Sequence, residues 1–283
     1  MTQIREIAIG LIVADDGRVL LQLRDDKPGL AGAGQWGFFG GHLEPGESAT
    51  SAFLRELDEE LGWRPKHFES YVSREVNSHG WHVTSHAFGA HLDIAVEALT
   101  LGEGQAMRLF APDDLPADIV PSARPVIEEF ARSDAYRRVK KRWELTTTTG
   151  LLVDARGRFL LQHRDDKPDI DNPGMWGSFG GELEPYETPD EGFLRELDEE
   201  LRWRPQRYTL YGGYPLRTSH GLQLIYVFTA FVDVPESALV LGEGQGMGFF
   251  AADALPEKTV PALRQLIESF VGTGTYAELR ARG

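Results

Sequence analysis

Residues 41–63 read GHLEPGESATSAFLRELDEELGW, and residues 181–203 read GELEPYETPDEGFLRELDEELRW. The two stretches lie 140 residues apart, and 18 of the 26 positions from 40 to 65 are identical to the residues 140 positions later. The same offset relates LGEGQ at 101–105 to LGEGQ at 241–245. A match at one offset along most of the chain predicts an internal duplication.

Each copy carries both strand and helix signals. In the first copy, an apolar run rich in branched residues at 6–14 meets the turn signal Asp15-Asp16-Gly17 and a second apolar run at 19–23, which predicts a hairpin. A final helix is expected after Pro121. Strands are predicted at 6–14, 19–23, 36–39, 68–75 and 81–93. The pattern indicates two α/β domains, residues 1–140 and 141–283.

A helix is predicted from Ser48 to Leu61. Ser48 is a typical N-cap residue, and Gly62 is a typical residue at a helix end. At about 100° per residue, the apolar side chains fall on one face, which we expect to pack on the core. These side chains are Phe53, Leu54, Leu57 and Leu61.

Three carboxylates share another face of this helix. Glu56, Glu59 and Glu60 are spaced i, i+3 and i+4, so their charges repel one another. Hard divalent cations such as Mg²⁺ or Mn²⁺ prefer oxygen ligands and would offset that repulsion. A solvated acidic face is the alternative interpretation.

The surrounding spacing resembles the signature of the Nudix hydrolases, G-x5-E-x7-R-E-U-x-E-E-x-G-U, where U is a bulky apolar residue. Counting from Gly41, the first copy matches at every specified position, with Trp63 as the closing apolar residue. The second copy, counted from Gly181, departs where Arg202 replaces the glycine. The resemblance implies two tandem Nudix-type domains, each an α/β/α sandwich with a mixed sheet.

The resemblance also implies a reaction and a site. It implies hydrolysis of a nucleoside diphosphate linked to another group, with Mg²⁺ or Mn²⁺ and more than one ion per site. Glu47 and Glu187 would support the cluster, and Arg55 and Arg195 would orient it. The metal ligands would be the carbonyls of Gly40 and Gly180 and the carboxylates of Glu56, Glu59, Glu60, Glu196, Glu199 and Glu200.

A further carboxylate lies downstream in each copy. Glu103 and Glu243 sit in the LGEGQ segments, which resemble a loop that carries an extra glutamate beside the metal in small nucleotide-sanitising members of the family. An exposed turn glutamate is the alternative. The general base is left open among Glu56, Glu59 and Glu103.

Two sets of positions in the sequence bear on the choice of substrate. The positions that would carry a base-reading asparagine are Ala123 and Leu263, whose side chains cannot pair with a base edge. Arg24 and Arg164, each followed by a Gly-x-Trp segment, resemble the diphosphate-binding arrangement of nucleotide-sugar hydrolases, although a salt bridge to the adjacent Asp25 or Asp165 is an equal alternative. We therefore favour nucleotide sugars; (deoxy)nucleoside triphosphates and a non-catalytic, nucleotide-sensing domain are the alternatives.

Composition excludes several classes of site. The formal net charge of −15, from 29 Lys and Arg against 44 Asp and Glu, disfavours nucleic acid as a partner and favours a small nucleotide. The absence of cysteine rules out disulfides, thiolate zinc sites and cysteine nucleophiles. No apolar run reaches the roughly 18 residues of a membrane span, so we expect a cytoplasmic protein.

Two further interpretations concern the organisation of the chain. The basic cluster at 137–142 is interpreted as a solvated linker between the copies. His79, His82, His86 and His91 are interpreted as ordinary sheet and loop residues. We call the signature segments, residues 41–63 and 181–203, the box of each copy. Since both copies keep every box carboxylate and the arginine, we expect an internal pseudo-dimer in which both sites work.

Overall fold

A computed structural model describes residues 5–78, 81–168, 170–218 and 221–281. The chain divides between Trp143 and Glu144 into two compact units. Among the residues described, no helix is long and apolar enough to cross a bilayer.

The first unit is built on one mixed sheet. Its elements are β1 (Arg5–Val13), β2 (Val19–Leu23), β3 (Trp36–Gly37), β4 (Phe39–His42), α1 (Ala49–Leu61), β5 (Phe68–Ser78), β6 (Trp81–His91), β7 (Ala106–Phe110), α2 (Ala123–Phe130) and α3 (Asp134–Val139). The central strand β1 runs parallel to β6 and antiparallel to β2 and β4. The sheet order is β3-β2-β1-β6-β5, with β7 on β2 and β4 on β1.

The second unit repeats these elements as β8 (Leu145–Val153), β9 (Phe159–His163), β10 (Trp176–Gly177), α4 (Pro189–Leu201), β11 (Tyr208–Thr218), β12 (Gly221–Phe231), β13 (Gly246–Phe250), α5 (Pro261–Phe270) and α6 (Gly274–Arg280). Its sheet order is β10-β9-β8-β12-β11, with β13 on β9, and β8 and β12 are the parallel pair. The segment equivalent to β4 is held by backbone bonds from Thr148 N–H to the Gly181 carbonyl and from Gly150 N–H to the Phe179 carbonyl.

Helices cover both faces of each sheet. In the first unit, Phe53 on α1 stacks on Phe88 at 4.7 Å, and Leu57 and Leu61 are fully buried in the same cluster. The opposite face is covered through residues such as Ile127 of α2. In the second unit, Phe193 of α4 stacks on Phe228 at the same distance. The predicted fold, two tandem α/β/α sandwiches with mixed sheets, is confirmed.

The interpretation of the basic cluster as a solvated linker is wrong for Arg138. This residue lies on α3, and its Nε donates to Glu69 Oε2 on β5 at 2.8 Å. Both side chains are largely buried, at 12% and 3% exposure. The pair joins residues 69 positions apart, so local composition could not reveal it.

Candidate active site

The box segment forms the predicted helix with its expected ends. The Ser48 hydroxyl accepts the Ser51 N–H of α1, and Thr188 forms a full capping box with Glu191 at the start of α4. Helix α1 ends at Gly62, whose φ of 60° is left-handed. Arg202 adopts the same conformation at the end of α4, with a φ of 50°. The substitution therefore keeps the geometry and accepts backbone strain.

Arg55 gathers the box carboxylates. Its guanidinium donates to both oxygens of Glu47, at 2.9 and 3.0 Å, to Glu56 Oε1 at 2.8 Å and to Glu59 Oε2 at 3.1 Å. It also donates to the His42 carbonyl at 3.0 Å. One planar guanidinium group thus holds three carboxylates together and fixes them next to the end of β4.

Arg195 repeats this pattern in the second unit. It donates to Glu187 at 2.9 and 3.0 Å, to Glu196 at 2.7 Å and to Glu199 at 3.3 Å. The Glu182 carbonyl takes the place of the His42 carbonyl. Hydrogen bonds to Glu187 and Glu196 raise the pKa of Arg195 above its ordinary range, and those to Glu47 and Glu56 do the same for the pKa of Arg55.

The third helix carboxylate is buried rather than bound to the arginine. Glu60 is 5% exposed; its Oε2 accepts the Gly40 N–H at 2.7 Å, and its Oε1 accepts Gln22 Nε2 at 3.3 Å. Glu200 makes the equivalent bonds to Gly180 and Gln162, at 2.8 and 3.2 Å. Burial raises the pKa of each carboxyl to about 7, against the opposing effect of the glycine N–H.

Two glycines shape the backbone beside these carboxylates. Gly40 has a φ of 125°, and a Cβ there would lie 2.1 Å from the Ala8 carbonyl oxygen. A Cβ on Gly41 would lie 2.5 Å from Glu56 Oε1. Gly40 therefore lets β4 approach the β1 backbone closely, and Gly41 lets it approach the Glu56 carboxylate.

The predicted metal ligands lie together, but they do not form a closed coordination site. Within the described part of the chain, no three carboxylate or imidazole groups converge as a metal-binding set. Arg55 engages Glu56 and Glu59, while Gly40 and Gln22 engage Glu60. The donors are all oxygens, which suits a hard cation, and Glu59 is 60% exposed and so reachable from solvent.

The Glu103 loop is fixed against the end of α1. Gly102 N–H donates to the Glu60 carbonyl at 2.8 Å, and Gln105 N–H donates to the Leu23 carbonyl at 2.7 Å. A Cβ on Gly102 would lie 2.3 Å from the Glu59 carbonyl oxygen, so the contact requires glycine. Glu103 is exposed, yet its charge contributes to the raised pKa of Glu60, and Glu243 acts on Glu200 in the same way.

Arg24 lies beside this loop, and Arg164 lies beside the equivalent Glu243 loop of the second unit. Arg24 Nε donates to the Ala31 carbonyl and Arg164 Nε to the Asp171 carbonyl, each at 2.9 Å. Asp25 pairs instead with Lys27, and Asp165 with Lys167. The alternative of an arginine salt bridge to the adjacent aspartate is therefore not what the structure shows. Gln105 Nε2 donates to the Arg24 carbonyl at 2.8 Å, which joins this arginine to the Glu103 loop.

Gln22 and Gln162 also contact the box carboxylates, although the signature motif does not include them. Each is 3% exposed within an apolar strand and donates to the buried carboxylate of its unit. The sequence does indicate this role, because the LLQ segment is repeated in both copies. A polar side chain on a buried strand needs a hydrogen-bond partner.

The histidines do not form a site in the described residues. His86 contacts Ser73 and Glu6, and His91 contacts the Val139 carbonyl. His79 and the side chain of His82 lie outside the described residues.

Comparison with known proteins places this geometry in a family. The family model described as "NUDIX domain" matches twice, at residues 4–130 and 145–270. The CTP pyrophosphohydrolase of Escherichia coli is 33% identical over 133 residues, covering 46% of this chain and 93% of that protein. The 8-oxo-dGTP diphosphatase of E. coli is 32% identical over 79 residues, covering 28% of this chain and 60% of that protein.

Solved structures include the MutT NUDIX hydrolase of Burkholderia pseudomallei. It is 25% identical, covers 44% of this chain and 95% of its own, and has a TM-score of 0.39. The two family matches coincide with the two arginine and glutamate clusters described above. This chain belongs to the NUDIX family and contains two NUDIX hydrolase domains in tandem.

Proposed function

We propose that both domains hydrolyse a phosphoanhydride bond of a small nucleotide, with water as the attacking group. The observation that carries this proposal is the arginine fork, which holds three box carboxylates with the same contacts in both domains. Carboxylates gathered around one arginine suit a polyanionic substrate only when cations bridge them.

Divalent cations would supply that bridge, as they do generally in this family. Glu56, Glu59, Glu60 and the Gly40 carbonyl would hold Mg²⁺ or Mn²⁺, more than one ion per site, with the matching set in the second domain. When bound, such ions polarise phosphoryl oxygens and lower the pKa of water. Arg55 keeps Glu56 and Glu59 on one side of the helix through its bonds of 2.8 and 3.1 Å.

The general base is a carboxylate near this cluster. Glu56 and Glu59 each accept one bond from Arg55, but Glu59 is 60% exposed and Glu56 only 15%. Glu103 lies on the loop that is hydrogen-bonded to the end of α1, close enough for its charge to act on Glu60. The proposal therefore keeps three candidates for the general base: Glu56, Glu59 and Glu103. Glutamine variants of each, compared by their loss of kcat, would distinguish them.

Two substrate classes compete. The names of the E. coli relatives favour nucleoside triphosphates, with CTP as the first to assay. The preference for nucleotide sugars drawn from Arg24 and Arg164 stays a prediction. Ala123 and Leu263 are buried core residues at 2% and 7% exposure, so these positions do not supply a side-chain amide to a base.

A substrate panel tests the proposal. The full chain would be assayed with Mg²⁺ and with Mn²⁺ against CTP, dGTP, 8-oxo-dGTP and a uridine diphosphate sugar, with a chelator as the control. We expect metal-dependent release of pyrophosphate from a triphosphate, or of two monophosphates from the sugar nucleotide. Tight nucleotide binding without turnover would contradict hydrolysis and support a sensing role.

A further inference from the structure

Gln22 and Gln162 are polar side chains buried in apolar strands. Both are 3% exposed, and their neighbours Leu21 and Leu161 are fully buried on the other face. Burying an amide without partners is costly, so a glutamine at such a position is held by specific hydrogen bonds. In both domains one of those bonds goes to the buried box glutamate.

Two donors from different strands fix the Glu60 carboxylate. Gln22 on β2 donates to Oε1 at 3.3 Å, and the Gly40 N–H on β4 donates to Oε2 at 2.7 Å. With one donor on each oxygen, the plane of the carboxylate is defined as well as its position. Glu200 is held in the same way by Gln162 and Gly180, at 3.2 and 2.8 Å.

We propose that Gln22 and Gln162 are positioning residues of the hydrolytic sites, which set the orientation of Glu60 and Glu200. This inference rests on the proposed function, in which those glutamates face the cations. In the described contacts Gln22 does not touch the exposed carboxylate Glu59, and Gln162 does not touch Glu199, so each acts through the buried glutamate of its own domain.

The remaining N–H of the carboxamide differs between the domains. Gln22 Nε2 also donates to the Phe38 carbonyl at 3.0 Å, in the strand segment that leads to Gly40. Gln162 Nε2 donates instead to the Glu243 carbonyl at 3.1 Å, in the loop with the downstream glutamate. Gln22 thus links Glu60 to the backbone that leads into β4, whereas Gln162 links Glu200 to the Glu243 loop.

The test uses methionine, which nearly matches glutamine in shape but donates no hydrogen bond. Gln22→Met is made in a Glu199→Gln background, so that only the first domain turns over, and Gln162→Met is made in a Glu59→Gln background. The matched controls are Leu21→Met and Leu161→Met, which alter the neighbouring buried side chain on the opposite face. Readouts are kcat, KM, the melting temperature, and Mn²⁺ binding by the resting protein, followed by electron paramagnetic resonance.

We expect Gln22→Met and Gln162→Met to lower kcat and Mn²⁺ affinity by about 10- to 100-fold, the usual effect of removing a partner behind a metal ligand. KM for the nucleotide should change less than about twofold, because neither glutamine is placed against the substrate. The leucine controls should keep kcat and Mn²⁺ affinity. Unchanged kcat and Mn²⁺ affinity in a folded Gln22→Met protein would overturn the proposal.

Gln22→Asn covers the case in which the methionine variant unfolds, because it keeps the amide but retracts it by one methylene. A folded asparagine variant with low kcat supports positioning, and one with full kcat overturns it. Unfolding of both variants at the assay temperature would show a structural role only, and would also overturn it. A wild-type protein that binds Mn²⁺ but turns over no nucleotide would count against the proposed function alone, because the Mn²⁺ comparison needs no substrate.

The different second bond gives an independent readout. In the second domain, Gln162→Met and Glu243→Gln should have a combined effect on kcat smaller than the product of the single effects, since both disturb one coupled loop. In the first domain, where Gln22 bonds the Phe38 carbonyl instead, the combined effect of Gln22→Met and Glu103→Gln on kcat should lie closer to the product of the single effects. The opposite pattern would contradict the assigned couplings.

Discussion

Arg55 and Glu47 form a two-bond ion pair, with Nε to Oε1 at 2.9 Å and Nη2 to Oε2 at 3.0 Å. Arg195 and Glu187 repeat it with the same two distances. The pair spans eight residues, the interval that the repeated box fixes in both copies. The spacing in the sequence is therefore the spacing needed to bring the loop carboxylate to the helix arginine.

Arg55→Lys should damage the first site even though the charge is kept. Lysine cannot bond both oxygens of Glu47 and also reach Glu56 and Glu59. In a Glu199→Gln background we expect kcat to fall by about 10- to 100-fold, as for other residues that hold ligands in place. The matched control is Arg64→Lys, at an exposed arginine paired with Asp58 outside the cluster. Full activity in Arg55→Lys would contradict the orienting role.

Arg202→Gly should stabilise the second domain. Arg202 has a φ of 50°, and Gly62 holds the equivalent position in the first domain at 60°. Relief of the left-handed strain should raise the free energy of unfolding by up to about 1 kcal/mol. Gly62→Ala should cost about the same, because its Cβ would have room, 3.7 Å from Thr100 Cβ, and only the backbone is strained. Chemical denaturation measures both; a destabilised Arg202→Gly would be the contrary result.

Thr148→Val should also stabilise the second domain. The Thr148 hydroxyl is buried and has no hydrogen-bond partner among the described residues, and Ala8 occupies the equivalent position in the first domain. Replacing the hydroxyl by a methyl of the same shape should raise the free energy of unfolding by about 1 kcal/mol. Thr259→Val is the control: its buried hydroxyl donates to the Pro256 carbonyl at 2.7 Å, so its loss should destabilise. Equal effects of the two variants would contradict this assignment.

The first domain should lose stability below neutral pH through His67. Burial, with smaller contributions from His91 and Arg138, lowers the pKa of His67 to about 3. Because the unfolded chain then binds the proton more readily, the free energy of unfolding falls as pH drops from about 6.5, by up to about 1.4 kcal/mol per pH unit. His67→Gln should flatten this dependence. The second domain has Arg207 at this position and serves as the internal control, with hydrogen exchange reporting each domain separately. A pH dependence unchanged in His67→Gln would refute the assignment.

Contacts within one short segment could be predicted from the sequence, whereas contacts between distant residues could not. The capped helix, its buried face and the gathering of Glu47, Arg55, Glu56 and Glu59 follow from spacing within one short segment, and the structure brings them together. Gln22 meets Glu60 across 38 residues, and Arg138 meets Glu69 across 69. These partners are brought together only in the folded sheet. The basic composition around Arg138 therefore suggested a solvent-exposed segment, whereas the structure shows a buried ion pair.

The proposed function requires that two carboxylate clusters catalyse metal-dependent hydrolysis. The most direct test is turnover of the best nucleotide substrate by Glu59→Gln, Glu199→Gln and the double variant, each checked for folding by circular dichroism. We predict partial loss in each single variant and, in the double variant, no turnover above the metal-free background. A double variant that keeps substantial activity would contradict the assigned site, and complete loss from one single variant with none from the other would show that only one domain catalyses.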